Sequence, residues 1–268
     1  MADSETRAKL VLDLARRYDR ERLLTCLFTP TRLRPTLAAL VLLHAELARI
    51  PELVTEPMAG LVRYQWWREE IGHAAAGRGG AHPALDLLVP ALAEGRISVA
   101  LLHELLAAHE GLFERGSLAG LAELEAYATR TSGLLQRLLT DLLTDGREDA
   151  MAAAERIGTA YGIVAVLRAA SQRGRSGLFL LPGEGREARE ALAAAALERA
   201  RDRLRGLTLP EWRKLDPPAR LLARLAMRRL RSLARTGPEA GRPRLHGDPL
   251  LPLRLLVWGM FDRLPPRG

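Results

Sequence analysis

The chain has 268 residues, one cysteine, a net charge of +8 and a composition dominated by Leu, Ala, Arg and Glu. This length suits one sizeable core, the scarcity of β-branched and aromatic residues favours helix over strand, and a lone Cys26 excludes an internal disulfide and a thiolate metal cluster. The arginines are spread along the chain among acidic residues, without a helix-turn-helix, zinc-finger or base-stacking motif, which disfavours nucleic acid as a partner. We therefore predict one all-α domain over residues 1–268.

Proline, glycine and capping residues divide the first half of the chain into predicted helices. The predicted elements are 4–18, a short element through 23–28, then 32–48, 56–77, and a short helix that Pro83 opens. The third of these is expected to end before Pro51, because proline pushes the residue ahead of it out of the α region.

The second half is divided in the same way, with Ser98 as a helix cap. The predicted helices are 101–113, 121–145, a long helix from Asp149, 186–204, 217–236 and 249–263. The last of these is amphipathic, with Trp258, Met260 and Phe261. Its apolar face could pack on the bundle, lie in a membrane interface or dock a partner, and packing on the bundle is the preferred alternative.

Three features bear on location. The N-terminus lacks the apolar core of a signal peptide, and the longest apolar run, 37–43, is far shorter than the ~20 residues that span a bilayer. A basic face held against an anionic leaflet fits the net charge. We expect a cytoplasmic protein, at most peripheral to the inner membrane.

Residues 157–182 carry the most informative pattern. A run of small and aliphatic residues leads to Arg168, a basic turn at 173–175, and Gly177. This order resembles the second diphosphate-binding segment of the squalene/phytoene synthase family, whose members condense two prenyl diphosphates head to head. In active members that helix bears an Asn, an Arg-Asp pair and a further Asp. The resemblance aligns them, in that order, with Ala165, Arg168, Ala169 and Arg173.

The resemblance covers nearly the whole chain. The first Asp-rich motif of active members, which binds Mg²⁺ with the substrate diphosphate, aligns with Ala48, Arg49 and Glu52 in the stretch LVLLHAELARIPELV, so only Glu52 keeps a carboxylate. Glu46 lies six positions before Glu52, which places the two glutamates on different faces of an ideal helix. Tyr127 and Gly133 match a further family pattern. Three roles are open for Gly133: it bends its helix, it lets a prenyl chain lie close to the backbone, or it lets two helices pack closely, which we prefer.

HAELARI, then Glu56-Pro57-Met58, then QWWREE is similar to one diverged branch that includes a mitochondrial factor for respiratory complex I assembly. The resemblance implies an isoprenoid-synthase-type helical bundle around a central cavity, in a branch that keeps the fold and loses the aspartates. Trp66 and Trp67 point about 100° apart, so one of them is expected in the core and the other at a rim or partner surface.

Arg168 lies in the apolar stretch VAVLRAA, where a charge needs a partner. It either pairs with one of four glutamates (Glu46, Glu52, Glu69 or Glu70) or holds an anion in the cavity, and the salt bridge is preferred. His103 and His109 are six residues apart on different helix faces, which disfavours a zinc site. The candidate cavity or anion-binding residues are Arg168, Glu46, Glu52, Trp67, Glu70 and Tyr127.

These patterns predict a non-catalytic protein with no catalytic residue, metal or cofactor, which acts by binding a protein partner or a prenyl lipid, in respiratory complex assembly. The alternative is an active enzyme that condenses farnesyl or geranylgeranyl diphosphate. It would hold Mg²⁺ on Glu46, Glu52, Glu69 and Glu70, with Arg168 on the diphosphate.

Overall fold

The computed structural model describes residues 2–79, 81–173, 186–236, 248–260 and 265–266. These residues form helices and turns without a strand, as predicted. The helices are α1 Ala2–Tyr18, α2 Arg20–Cys26, α3 Arg34–Leu53, α4 Pro57–Ala75, α5 Pro83–Ala93, α6 Val99–Arg115, α7 Leu121–Ala128, α8 Leu134–Thr144, α9 Glu148–Arg173, α10 Arg186–Arg205, α11 Leu209–Lys214, α12 Pro217–Thr236 and α13 Leu251–Met260. A 3₁₀ turn covers Thr31–Leu33 and a π-helical turn covers Thr129–Gly133.

The helices bury two large apolar cores. The first lies among α1, α2, α3, α4, α5, α6 and α8, and about half of α3 is buried in it. The second surrounds α9 and takes in α7, α10, α11 and α12. Helix α9 packs on α8, α10 and α12, so it is the element that joins the two halves.

One helix in the described part of the chain is long and apolar enough to cross a membrane by composition alone. This segment is Glu148–Ala169, and 78% of its apolar window is buried inside the bundle. Because it packs between α8 and the helices of the second core, its apolar character is accounted for by burial in protein.

The prediction that the helix ends at residue 48 is wrong, because α3 continues through Pro51 to Leu53. Proline has no N–H to donate to the carbonyl four residues earlier, which is that of Leu47. The hydroxyl of Tyr64 on α4 donates to this carbonyl instead, at 3.2 Å. A side chain from another helix thus replaces the lost hydrogen bond, which the local sequence does not reveal.

Helices α7 and α8 are joined by the π-helical turn into one uninterrupted rod. Beside this turn α9 comes so close that a Cβ atom on Gly158 would lie 2.5 Å from the Ser132 carbonyl oxygen, and one on Gly133 would lie 2.6 Å from the Thr159 hydroxyl. Of the roles considered for Gly133, the structure shows close packing of two helices.

The ends of the chain differ in part from prediction. Helix α11 was not predicted, although Thr208 and Glu211 form a capping box at its start. On α13, Leu251 and Leu255 are buried against α12, as the preferred alternative expects. The same helix leaves the large apolar side chains of Leu253, Leu256, Val257 and Met260 exposed, and Leu250, just before it, is exposed as well. Residues 261–263 of the predicted helix lie outside the described residues.

Candidate functional site

A cavity of about 540 Å³ lies between the two halves of the bundle. Its walls come from the end of α1, the start of α2, the second half of α3, the end of α6, the π-helical turn and the second half of α9, with one residue each from α4 and α7. This volume falls within the ~300–1,000 Å³ that is typical of small-molecule sites. The central cavity that the family resemblance implies is therefore present.

The polar residues that line the cavity include an exposed pair and a buried set, with half-buried residues between them. Arg16 and Arg17 are exposed and form what we call the cavity rim. The buried set forms the cavity floor and consists of Arg22, Tyr64, His109, Thr131, Ser132 and Tyr161. The rim is thus basic and open to solvent, whereas the floor is polar and enclosed.

Arg22 is the charged group of the floor, and only 1% of it is exposed. Its Nη2 donates to the Ser132 hydroxyl at 2.6 Å, and that hydroxyl donates to the Gly158 carbonyl at 2.8 Å. Its Nε lies 3.7 Å from the carboxylate of Asp19, and its guanidinium lies 5.1 Å from the Tyr161 ring centroid. The Nε and Nη1 atoms are buried without a hydrogen-bond partner.

Two histidines also line the cavity. The Tyr127 hydroxyl and His109 Nδ1 are 3.1 Å apart, and the His44 and His109 rings meet edge to face at 5.2 Å. Burial lowers the pKa of His109 to about 3 and that of His44 well below its usual range. Both rings are therefore neutral at physiological pH, and His109 Nε2 is buried without a hydrogen-bond partner.

The lowered pKa of His109 makes stability depend on pH. In the unfolded chain a histidine binds a proton below pH ~6.5, whereas folded His109 stays neutral down to about 3. The stability that neutral His109 contributes is fully present above pH ~6.5 and is lost as the pH falls. The free energy of unfolding should drop by about 1.4 kcal/mol between pH 7.5 and 5.5 on this account. We expect urea unfolding to show that His109→Gln loses less stability over this interval than the unaltered chain.

The other titratable groups remain in the His109→Gln variant, so the difference between the two pH slopes isolates His109. His44 contributes in the same direction, whereas burial raises the pKa of Asp216 and makes a contribution of opposite sign. Equal pH slopes in the two proteins would contradict the prediction.

A charged network stands at the edge of the cavity. The carboxylate of Glu21 lies 3.7 Å from Arg168 Nη1, accepts a hydrogen bond from the Tyr161 hydroxyl at 3.2 Å, and pairs with Arg229. The prediction that Arg168 pairs with Glu46, Glu52, Glu69 or Glu70 named the wrong partners for this contact. The observed glutamate comes from α2, so the network joins α2, α9 and α12.

The candidate residues from the sequence separate into two sets. Tyr127 and Arg168 line the cavity. Four others lie outside its described lining: Glu46 near Arg49 at 3.7 Å, Glu52 on the surface, Trp67 buried against His82, and Glu70 near His73 at 3.2 Å. Trp66 is 38% exposed and Trp67 5% exposed, so one tryptophan is in the core and the other is at the surface, as predicted.

The cavity lining does not fit the Mg²⁺ that active family members use. Ala48, Ala165 and Ala169 line the cavity at positions that the resemblance aligns with metal-binding and neighbouring polar residues. The two carboxylates of its described lining are engaged, since Asp19 caps α2 and Glu21 pairs with arginines. Among the residues that the structure describes, no three His, Cys, Asp or Glu side chains come together to hold a metal ion.

Comparison with known proteins agrees with this architecture. The sequence model for "Squalene/phytoene synthase" matches residues 15–249. The Bos taurus protein named NADH dehydrogenase (ubiquinone) complex I, assembly factor 6 is 30% identical over 171 residues, which cover 64% of this chain and 51% of that protein. The Homo sapiens protein of the same name is 29% identical, with the same coverage. The chain thus spans about half the length of the curated relatives it matches.

A crystal structure of a dehydrosqualene synthase in complex with ligand superposes with a TM-score of 0.78 and covers 97% of this chain and 98% of that chain. At 13% sequence identity, this likeness shows the fold. It confirms the predicted isoprenoid-synthase-type bundle. Because the family match extends over most of its length, the chain belongs to the squalene/phytoene synthase family.

Proposed function

We propose that this chain is a non-catalytic member of its family that acts by binding. Its cavity takes a ligand, and its surface serves a protein partner in the assembly of a membrane respiratory complex. The observation that carries the proposal is the lining of the cavity, where alanines and arginines stand in place of a cluster of carboxylates.

The physical argument concerns the leaving group of the family reaction. Departure of pyrophosphate develops negative charge that a divalent cation must neutralise, and such electrostatic stabilisation is the largest part of catalysis in many enzymes. Asp19 and Glu21 are the acids of the described lining, and arginines already pair with both. A lining without free clustered carboxylates therefore supports a role in binding a ligand rather than in expelling pyrophosphate from it.

The relatives supply the argument for a protein partner. Both named relatives are called assembly factors of NADH dehydrogenase (ubiquinone) complex I. The region they share with this chain is 171 residues long. A role in assembling a respiratory complex is therefore the partner function that we propose.

One assay separates this proposal from the enzymatic alternative. Purified protein is incubated with farnesyl or geranylgeranyl diphosphate and Mg²⁺, and the lipid extract is analysed by mass spectrometry. We expect no squalene-type or phytoene-type product. Turnover by the purified protein would overturn the proposal and favour an active prenyltransferase. Loss of that turnover in Glu52→Gln, but not in the control Glu56→Gln, would assign it to the glutamate at position 52.

The same Glu52→Gln variant has a second readout in cells that lack the native chain. We expect it to restore assembled complex I, measured on a native gel, as well as the unaltered protein does. This follows because a binding function does not need a metal ligand at position 52. A deletion that leaves the assembled complex at its normal level would contradict the partner role.

A further inference from the structure

The cavity floor holds hydrogen-bonding groups that the protein does not satisfy. Arg22 Nε and Nη1 and His109 Nε2 are all buried without a hydrogen-bond partner, and both residues line the same cavity. Buried polar groups in folded proteins are nearly always hydrogen-bonded, because leaving them unpaired is costly. These atoms therefore indicate a ligand with oxygen acceptors.

The unfilled groups of the floor are donors, which limits the kind of ligand group that can bind there. Both free nitrogens of Arg22 are donors, since a guanidinium has no acceptor. When the Tyr127 hydroxyl donates to His109 Nδ1, the proton of the neutral ring lies on Nε2, which becomes a third donor. An alkyl or prenyl end in this place would leave all three donors unpaired.

The charge of the floor limits the charge of the ligand. Arg22 carries one positive charge, the Asp19 carboxylate lies 3.7 Å from its Nε, and the nearby His44 and His109 are neutral. A diphosphate carries several negative charges, and Arg22, the one arginine of the floor, would neutralise it poorly without a metal ion. At 3.7 Å the Asp19 carboxylate is too far from Arg22 Nε for a hydrogen bond, so the buried guanidinium keeps unfilled donors, and a small group with no more than one negative charge matches them.

We propose that the cavity floor is a metal-free site for the carboxylate of a single-chain carboxylic acid, with Arg22 as the charged donor and His109 as a neutral one. The hydrocarbon chain of the acid would lie along the apolar part of the lining, which includes Leu112, Phe113 and Val166. This inference rests on the proposed function, because it identifies the class of ligand that the non-catalytic cavity takes.

The test compares head groups on one chain. Farnesoic acid, farnesol and farnesyl diphosphate compete with the fluorescent fatty acid cis-parinaric acid for purified protein in EDTA, and again with Mg²⁺. We expect farnesoic acid to bind in EDTA about 10- to 100-fold more tightly than farnesol, as a charge-assisted hydrogen bond predicts. Farnesol that binds as tightly as the acid would overturn the proposal.

Arg22→Met tests the residue, because it keeps an apolar stem and removes the donors. The substitution should weaken the binding of farnesoic acid about 10- to 100-fold and leave the binding of farnesol unchanged. The matched control is Arg16→Met, which removes an arginine from the exposed rim of the same cavity. A loss in Arg16→Met as large as that in Arg22→Met would place the carboxylate at the rim and overturn the proposal.

A second variant and a comparison with the turnover assay ensure that the test decides for or against the proposal. Thermal unfolding checks that Arg22→Met folds; if it does not, Ser132→Ala removes the hydroxyl that orients Arg22 and should weaken the acid selectively. Without turnover and without preference for the acid, this inference fails while the proposed non-catalytic function stands. Tighter Mg²⁺-dependent binding of farnesyl diphosphate, with turnover, would defeat both.

Discussion

Replacing Gly158 by alanine should destabilise the protein by about 3 kcal/mol or more. A Cβ atom at this position would lie 2.5 Å from the Ser132 carbonyl oxygen and 2.9 Å from Gly133 Cα, both of which are backbone atoms. Backbone in a packed rod cannot swing aside as a flexible side chain can, so α9 and the π-helical turn would have to separate. Urea unfolding of Gly158→Ala measures the loss.

The matched control for this change is Gly72→Ala. Gly72 also lies within a helix, but a Cβ atom there would meet nothing within 4 Å. Alanine should therefore stabilise α4 by about 0.5–1 kcal/mol, because it restricts the unfolded chain and favours helix. If the two substitutions have similar effects, close packing is not what requires glycine at position 158.

Replacing Glu21 by glutamine should cost about 2 kcal/mol and loosen the edge of the cavity. The substitution removes the negative charge shared by Arg168 and Arg229 and leaves two arginines facing each other. The Glu21 side chain is 14% exposed, whereas that of Arg168 is 40% exposed, so the loss should be smaller than for a fully buried pair. Thermal and urea unfolding give the magnitude.

An exposed ion pair provides the comparison for Glu21. Glu190 accepts from Arg186 one helical turn away, and their side chains are 43% and 73% exposed. Glu190→Gln should change stability by less than about 0.5 kcal/mol. A Glu21→Gln variant as stable as Glu190→Gln would show that the network joining α2, α9 and α12 contributes little.

Most helices were predictable because their signals are local. Ser98 accepts a hydrogen bond from the Leu101 N–H as an N-cap, and Pro57, Pro83 and Pro217 each begin a helix as predicted. The error at Pro51 has a non-local cause, since the Tyr64 hydroxyl that compensates for the proline comes from another helix. Local rules do not contain that contact.

The cavity could be predicted only in part. Family resemblance led to Arg168 and Tyr127, whereas Arg22 and His44 were missed, and His109 was considered only within a zinc motif. Arg22 is one of 40 Lys and Arg residues, and its burial arises from packing among α2, α9 and the π-helical turn. Histidine at position 109 likewise becomes informative only when α3 brings His44 against it.

The rod formed by α7, the π-helical turn and α8 has a consequence for how the protein melts. Leu124 and Ala128 belong to the core around α9, whereas Leu135 and Leu138, beyond the turn, belong to the other core. The wide turn changes the direction in which successive side chains point, so one continuous backbone serves both halves. Neither half can lose its helix without disturbing the other, and the bundle should therefore unfold as a single cooperative unit.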